Sequence, residues 1–271
     1  MRGHKVERSD MVRNIVRNMF IENQARGRHA AGLAFVNSAT FHVVKKNVDG
    51  QHLIELPEYK EAEHRYMTFS TATPGQGGII AKQPPLSFVG HCRWKTKGTE
   101  LDNVNNHPIV REDVVGVHNG MISNDDRIFD IYARTFPRNG RVDSEIIFAL
   151  IDHFSKGLRK PIHEAIEKTA KALQGSMACA FVHRLQPYAV WLFRRGNPCD
   201  VVIFRDVGMI AWSSCKTYIM SSVRKYEDIL GKAEVVELDQ NAGMGIDLHR
   251  NLVHRFTLND YHHNTNALSA I

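Results

Sequence analysis

The sequence predicts an α+β fold in which antiparallel sheets are covered by helices. Three observations carry this. Short, apolar, β-rich segments gather toward both ends of the chain, segments of helical period occupy the middle, and no regular strand–helix–strand alternation marks a parallel sheet. Of the 271 residues, 43% are hydrophobic and 24% charged, which excludes wholesale disorder and is enough for one large core.

The elements follow in order. Ser9 can cap a helix over residues 9–25, because Met11, Val12, Ile15, Val16, Met19 and Phe20 form one stripe. Residues 32–36 and 41–45 are β-rich around the polar Asn37-Ser38 and predict a hairpin. Pro57 opens a short helix over residues 56–64. Residues 71–85 carry three Gly and three Pro and read as a loop. Strands over 86–91 and 114–118 flank a polar loop. Helices follow over 125–134, 144–156 and 162–173, the last ended by Gly175 in its C-cap region. Strands are then predicted over 177–183, 189–193, 201–204 and 209–212, a helix over 221–230, and strands over 233–238 and 244–258. No linker interrupts the pattern, so residues 1–258 are expected to form a single domain, with 259–271 as a C-terminal tail.

Composition narrows the function classes. The formal net charge of +6 is scattered, with only short clusters such as Lys45-Lys46 and Arg194-Arg195. That reads as a mildly basic surface and not as a nucleic-acid interface. No apolar run approaches the roughly 18 residues of a membrane helix. The charged residues 1–10 lack the apolar core of a secretory signal, so neither membrane nor secretion is expected. Cys92, Cys179, Cys199 and Cys215 show no CxxC spacing, which argues against structural zinc and fits a reducing, cytosol-like compartment. Among the 15 histidines, His262-His263 and His249/His254 lack the helical pairing with a carboxylate that zinc sites use. Gly75-Gln76-Gly77-Gly78 lacks the Lys-Ser/Thr of a phosphate loop. No metal and no cofactor are expected.

Chemistry is carried by short motifs in a fixed order. They are Arg26-Gly27-Arg28-His29-Ala30-Ala31-Gly32, Gly90-His91-Cys92-Arg93-Trp94-Lys95-Thr96-Lys97-Gly98, Asn105-Asn106-His107-Pro108, Val117-His118-Asn119-Gly120, and Val142-Asp143-Ser144-Glu145. Singly each is ordinary: His-Asn-Gly after a strand is a turn, and Asp143 or Ser144 a helix cap.

Together they resemble the glutaminase domain of class II glutamine amidotransferases, members of the N-terminal nucleophile (Ntn) hydrolases. That family reads RGxDSAG, GHxRWxTxG, NxHP, VHNG and a DxE segment after a nucleophilic Cys at the mature N-terminus. The RG-x-H form at His29 is closest to small stand-alone phage and bacterial amidotransferase-like proteins. Later stretches also fit, at Gln174-Gly175-Ser176-Met177-Ala178, Arg194-Arg195-Gly196-Asn197-Pro198 and Trp212-Ser213-Ser214, so the resemblance covers residues 10–250.

The resemblance implies an Ntn-hydrolase-like αββα sandwich and hydrolysis of glutamine to glutamate and ammonia. It makes the Asn119 amide and the Gly120 N–H the oxyanion hole, whose donors are each worth about 10²–10³ in rate. Arg93 would take the substrate carboxylate and Asp143 its ammonium. Thr96 and His107 match positions that line the pocket, and Trp94 a residue packed beside it. Glutamine is then the expected ligand if the site is intact. Any ammonia would be released or passed to a partner protein, and a homo-oligomer is also open. The location implied is cytoplasmic or phage-associated.

One departure matters. The chain begins Met1-Arg2-Gly3-His4, so Arg2 stands where the family carries Cys, and a guanidinium has no lone pair to attack with. Three readings stay open. The protein is a catalytically inactive scaffold with a binding or structural role, or its nucleophilic Cys lies outside this sequence, or another thiol substitutes. Cys92, next to Arg93, is the thiol inside a motif, but alternation along a strand points the two side chains to opposite faces. Met1 and Arg2 are expected to have left the nucleophile position.

Overall fold

Four apolar clusters hold the elements in layers. The structure, a computed structural model, describes residues 8–37, 40–67, 87–247, 250 and 252–258. Arg2, the loop at 71–85 and the tail at 259–271 lie outside these residues.

Helix α1 (Arg8–Asn23) leads through a 3-10 turn (Gln24–Arg26) into β1 (Ala30–Val36). β1 is buried at every position, as suits a strand covered on both faces. It pairs antiparallel with β2 (Phe41–Lys46) and with β3 (Ser87–Arg93), in the order β2-β1-β3. The short α2 (Gly50–Leu53) and α3 (Pro57–Tyr66) cover this sheet, packing Leu53 and Tyr59 against Leu33, Phe35 and Phe20.

A second, six-stranded sheet forms from β4 (Ile109–Val110), β5 (Val114–Ile122), β6 (Gly175–His183), β7 (Gln186–Arg195), β11 (Ala242–Asp247) and β12 (Leu252–Thr257), in the order β12-β11-β7-β6-β5-β4. One face carries α4 (Asp125–Ile131), α5 (Ser144–Ser155) and α6 (Ile162–Ala172). The run Ile146, Ile147, Phe148, Ala149, Leu150, Ile151 makes α5 apolar nearly all round, and every one of these residues is buried. A third sheet, β10-β8-β9, is built from β8 (Asp200–Phe204), β9 (Met209–Ser213) and β10 (Ala233–Glu237). α1, α7 (Lys216–Val223) and α8 (Glu227–Leu230) pack on it through Met11, Ile15, Ile219, Val223 and Leu230. Ala34 and Val89 of the first sheet and Val201 and Ile203 of the third meet Val117, Ala180, Leu192 and Met244 of the second. The layers are therefore helix, sheet, sheet, helix, the αββα sandwich, with one sheet layer divided into two three-stranded parts.

Three expectations are corrected. The helix predicted over 221–230 starts earlier and breaks: α7 ends at Val223 and a 3-10 turn (Arg224–Tyr226) separates it from α8. Its start is set by the Asp200 carboxylate, which accepts from Lys216 N at 2.7 Å. Residues 244–258 form two strands, because Asp247 Oδ1 accepts from Arg250 N at 3.0 Å and turns the chain. Gly175 does not cap α6. Leu173 ends that helix by turning extended, and Gly175, at φ 124°, opens β6.

Candidate active site

A cavity of about 690 Å³ opens between α1, β3, β9 and the six-stranded sheet. That is the size of an ordinary small-molecule site. Its polar wall includes His91, Arg93, Trp94, Thr96, His107, His118, Asn119 and Gly120, and its apolar wall includes Ile15, Met19, Val190, Ile210, Trp212 and Ile246. The predicted Arg93, Trp94, Thr96, His107, Asn119 and Gly120 thus share one space. Asp143 is not on the wall, although its neighbours Val142 and Ser144 are.

Arg93 ends β3 and is 3% exposed. Its Nη1 donates to Asn106 Oδ1 at 3.0 Å, and its Nη2 to the carbonyls of Lys97 at 2.7 Å and Gly98 at 3.0 Å. Every one of these acceptors is a neutral oxygen, so the cation is fixed in direction without a direct ion pair. Burial lowers its pKa, opposed by the charges of Glu100 and Asp143. Gly27 lies directly on this backbone: a Cβ there would collide with the Arg93 carbonyl and the Trp94 nitrogen. The loop after Arg93 is pinned at its far end, where Lys97 Nζ donates to Asp125 Oδ2 at 2.6 Å and to Asp126 Oδ2 at 2.9 Å.

Asn119 and Gly120 sit on β5. The Asn119 carbonyl accepts from Asn197 Nδ2 at 2.8 Å, so the Arg194–Pro198 turn buttresses it. Asn119 lines the cavity. Gly120 has φ 150°, and a Cβ there would collide with the Ser176 carbonyl and His118 Nε2. Asp143 Oδ2 accepts from Ile122 N at 2.7 Å, with the residue 1% exposed. The carboxylate therefore binds the end of the same strand that carries Asn119 and Gly120.

Three imidazoles crowd the polar wall. The rings of His91 and His107 lie 4.4 Å apart, and neither nitrogen of His107 has a hydrogen-bond partner among the described residues. His118 contacts Ser144 Oγ and the Ser176 carbonyl. Burial holds all three neutral, lowering His91 to about 3 and pushing His107 and His118 down as well. No group of three or more His, Cys, Asp or Glu among the described residues is arranged to hold a metal ion.

The thiols are quiet. Cys92 donates to the Phe20 carbonyl at 3.7 Å and burial pushes it up to about 12. Burial also raises Cys199 to about 12 and Cys179 well above the usual range. Cys215 is lowered by the Thr217 hydroxyl but does not line the cavity. Trp94 is 64% exposed at the rim, its ring 4.7 Å from that of His29, whose Nδ1 accepts from Lys95 N at 3.0 Å.

Sequence reasoning missed His118 with Ser144, and Lys45. The first pair looks like a turn and a cap. Lys45 looks like surface charge, yet its Nζ donates to the carbonyls of Asn106 and Pro108.

The layered fold is that of the Ntn-hydrolase amidotransferases, and the chain is similar in sequence to class II glutamine amidotransferases. The chain is 27% identical over 223 residues to the glutamine–fructose-6-phosphate aminotransferase (isomerizing) of Streptococcus pneumoniae serotype 4, covering 80% of this chain and 33% of that protein. It is 32% identical over 141 residues to the enzyme of the same name from Thermotoga maritima, covering 50% of this chain and 23% of the other. It therefore spans a third or less of these curated relatives. In fold it matches the glutamine phosphoribosylpyrophosphate amidotransferase of B. subtilis, complexed with ADP and GMP, with a TM-score of 0.64 at 13% identity over 91% of this chain and 46% of that one. A structure described as the allosteric regulatory enzyme of purine biosynthesis matches with a TM-score of 0.63 at 14% identity, over 94% of this chain and 47% of that one. No family model matches the chain.

Proposed function

We propose that this protein binds glutamine in a class II-type glutaminase site and that its hydrolysis of glutamine is impaired. The observation that carries the reading is Arg93, a buried guanidinium held only by neutral oxygens and facing a cavity. A buried cation without a direct ion pair is costly, and an incoming α-carboxylate offsets that cost. In this reading Asp143, set behind the wall between Val142 and Ser144, is the acceptor for the α-ammonium. Asn119 and Gly120, which line the same cavity, are in this reading the donors to a developing oxyanion. Thr96, His107 and Trp94 complete the wall and rim.

The impairment rests on the nucleophile. No thiol lining the cavity among the described residues is activated, since Cys92, Cys179 and Cys199 are all raised by burial. Arg2 occupies the sequence position of the family's Cys. A second reading follows from the same thiols: an amidotransferase-fold scaffold with a binding or structural role in a cell or a phage particle.

Calorimetric titration with glutamine, run beside an assay of glutamate release, tests both. Saturable binding that Arg93→Ala abolishes, with release no faster than in Asp143→Ala, is the expected result. Absence of binding would overturn the glutamine reading and leave the scaffold. Brisk release that Asp143→Ala removes would overturn the impairment.

A further inference from the structure

Lys45 lies on β2, one strand removed from β3 and outside every motif of the site. Its side chain nonetheless enters the site's loop. Nζ donates to the carbonyls of Asn106 at 2.7 Å and Pro108 at 3.0 Å, and the Lys45 carbonyl accepts from Asn103 Nδ2 at 2.7 Å. One residue thus fastens residues 103–108 at both ends. Between them, Asn106 Oδ1 accepts from Arg93 Nη1, and its Nδ2 donates to Glu100 O at 2.8 Å and Asn103 Oδ1 at 3.0 Å. A single residue therefore separates the ammonium from the guanidinium. Gly32 makes room for this: a Cβ there would collide with the His107 carbonyl and with Lys45 Cβ.

We propose that Lys45 is a positioning residue for the substrate carboxylate. Its ammonium holds Asn106, and through it Arg93, in the direction of the cavity, and it sets a second positive charge behind the first. The proposal rests on the reading that Arg93 receives the carboxylate of glutamine.

The charge state of Lys45 is poised. Burial is the largest influence and brings it down to about 8; Glu145 and Asp102 favour the charged form and Arg93 opposes it. Glu145 is already bonded to Arg111 at 2.7 Å, and His107 stands neutral beside the ammonium. Lys45 therefore loses its proton over a range in which Arg93 remains a cation, and the pull on a carboxylate weakens as pH rises through that range.

The test uses the full chain, titrated with glutamine at about pH 7 and about pH 9.5, in wild type, Lys45→Arg, Lys45→Met and Arg93→Ala. The ammonium of free glutamine titrates in that window for every variant, so the comparison between variants is the readout. Lys45→Arg stays charged throughout. Wild-type affinity is expected to fall about tenfold more than that of Lys45→Arg between the two pH values. Lys45→Met is expected to bind about tenfold more weakly than wild type at the lower pH. Parallel pH profiles for wild type and Lys45→Arg would overturn the proposal, even if Lys45→Met does not fold. So would wild-type affinity in folded Lys45→Met. If Arg93→Ala binds like wild type, the glutamine reading itself fails, and the role of Lys45 with it.

Discussion

His118 Nδ1 lies 2.8 Å from the hydroxyl of Ser144, and this contact ties the strand that presents Asn119 and Gly120 to the helix that follows Asp143. The Ser176 carbonyl, 3.3 Å from Nε2, can only accept. The neutral ring therefore carries its proton on Nε2, and Nδ1 accepts from Ser144. On the other side of Asn119-Gly120, Asp143 takes the Ile122 N–H. Two clasps flank the dipeptide, so Asn119-Gly120 and Asp143 are fastened to one another through β5.

Ser144→Ala removes one clasp and leaves a buried ring nitrogen without a donor. It should cost about 1–3 kcal/mol, read as a lower urea midpoint with an unchanged slope. Ser144→Thr, which keeps the hydroxyl, should recover most of it. Equal midpoints for the alanine variant and wild type would remove this bond from the account.

Gly120→Ala places a methyl group against the Ser176 carbonyl and His118 at a φ that L-residues rarely adopt. The backbone conformation alone costs about 1–3 kcal/mol, and the collision adds to it. Thermal melting should fall, and glutamine binding should be lost before the fold is. A variant that melts and binds like wild type would mean that β5 has room to shift.

Acid should unfold the protein early. Burial lowers His91, to about 3, and lowers His107 and His118 below the usual 6.5. Between those values the unfolded chain binds more protons than the folded one, so stability rises with pH. Their contribution is complete above about 6.5 and is lost as pH falls toward the folded values. Urea midpoints should be flat near neutrality and drop steadily below about pH 6. Midpoints unchanged down to pH 4.5 would contradict the neutral assignment.

Thiol alkylation of the folded chain at mildly alkaline pH should find Cys215 first. Cys215 is half-buried and its thiol is lowered by Thr217, whereas burial raises Cys92, Cys179 and Cys199. Peptide mapping after brief labelling reads the order. Labelling of Cys92 ahead of Cys215 would reopen it as a reactive residue.

What could be read from residues alone was what depends on near neighbours. The hairpin of β1 and β2 has its apolar residues and its turn within one short stretch, and the motif residues Arg93, Asn119 and Gly120 announce themselves by order. The start of α7 could not be read, because its capping carboxylate, Asp200, arrives from another strand. Nor could Lys45 be separated from Lys46. Only the register of β2 against β1 sends one ammonium inward to Asn106 and leaves the other outside, 3.3 Å from Glu58.

The contact of Gly27 with the Arg93–Trp94 backbone has a bearing on how such chains diverge. A side chain that performs a reaction can be exchanged without moving its neighbours. A glycine beneath another segment's main chain cannot, because any replacement pushes two segments apart. Selection on shape alone is therefore enough to keep Arg26-Gly27 legible. The Arg26-Gly27 pair records how closely two backbones pass, whatever chemistry they frame.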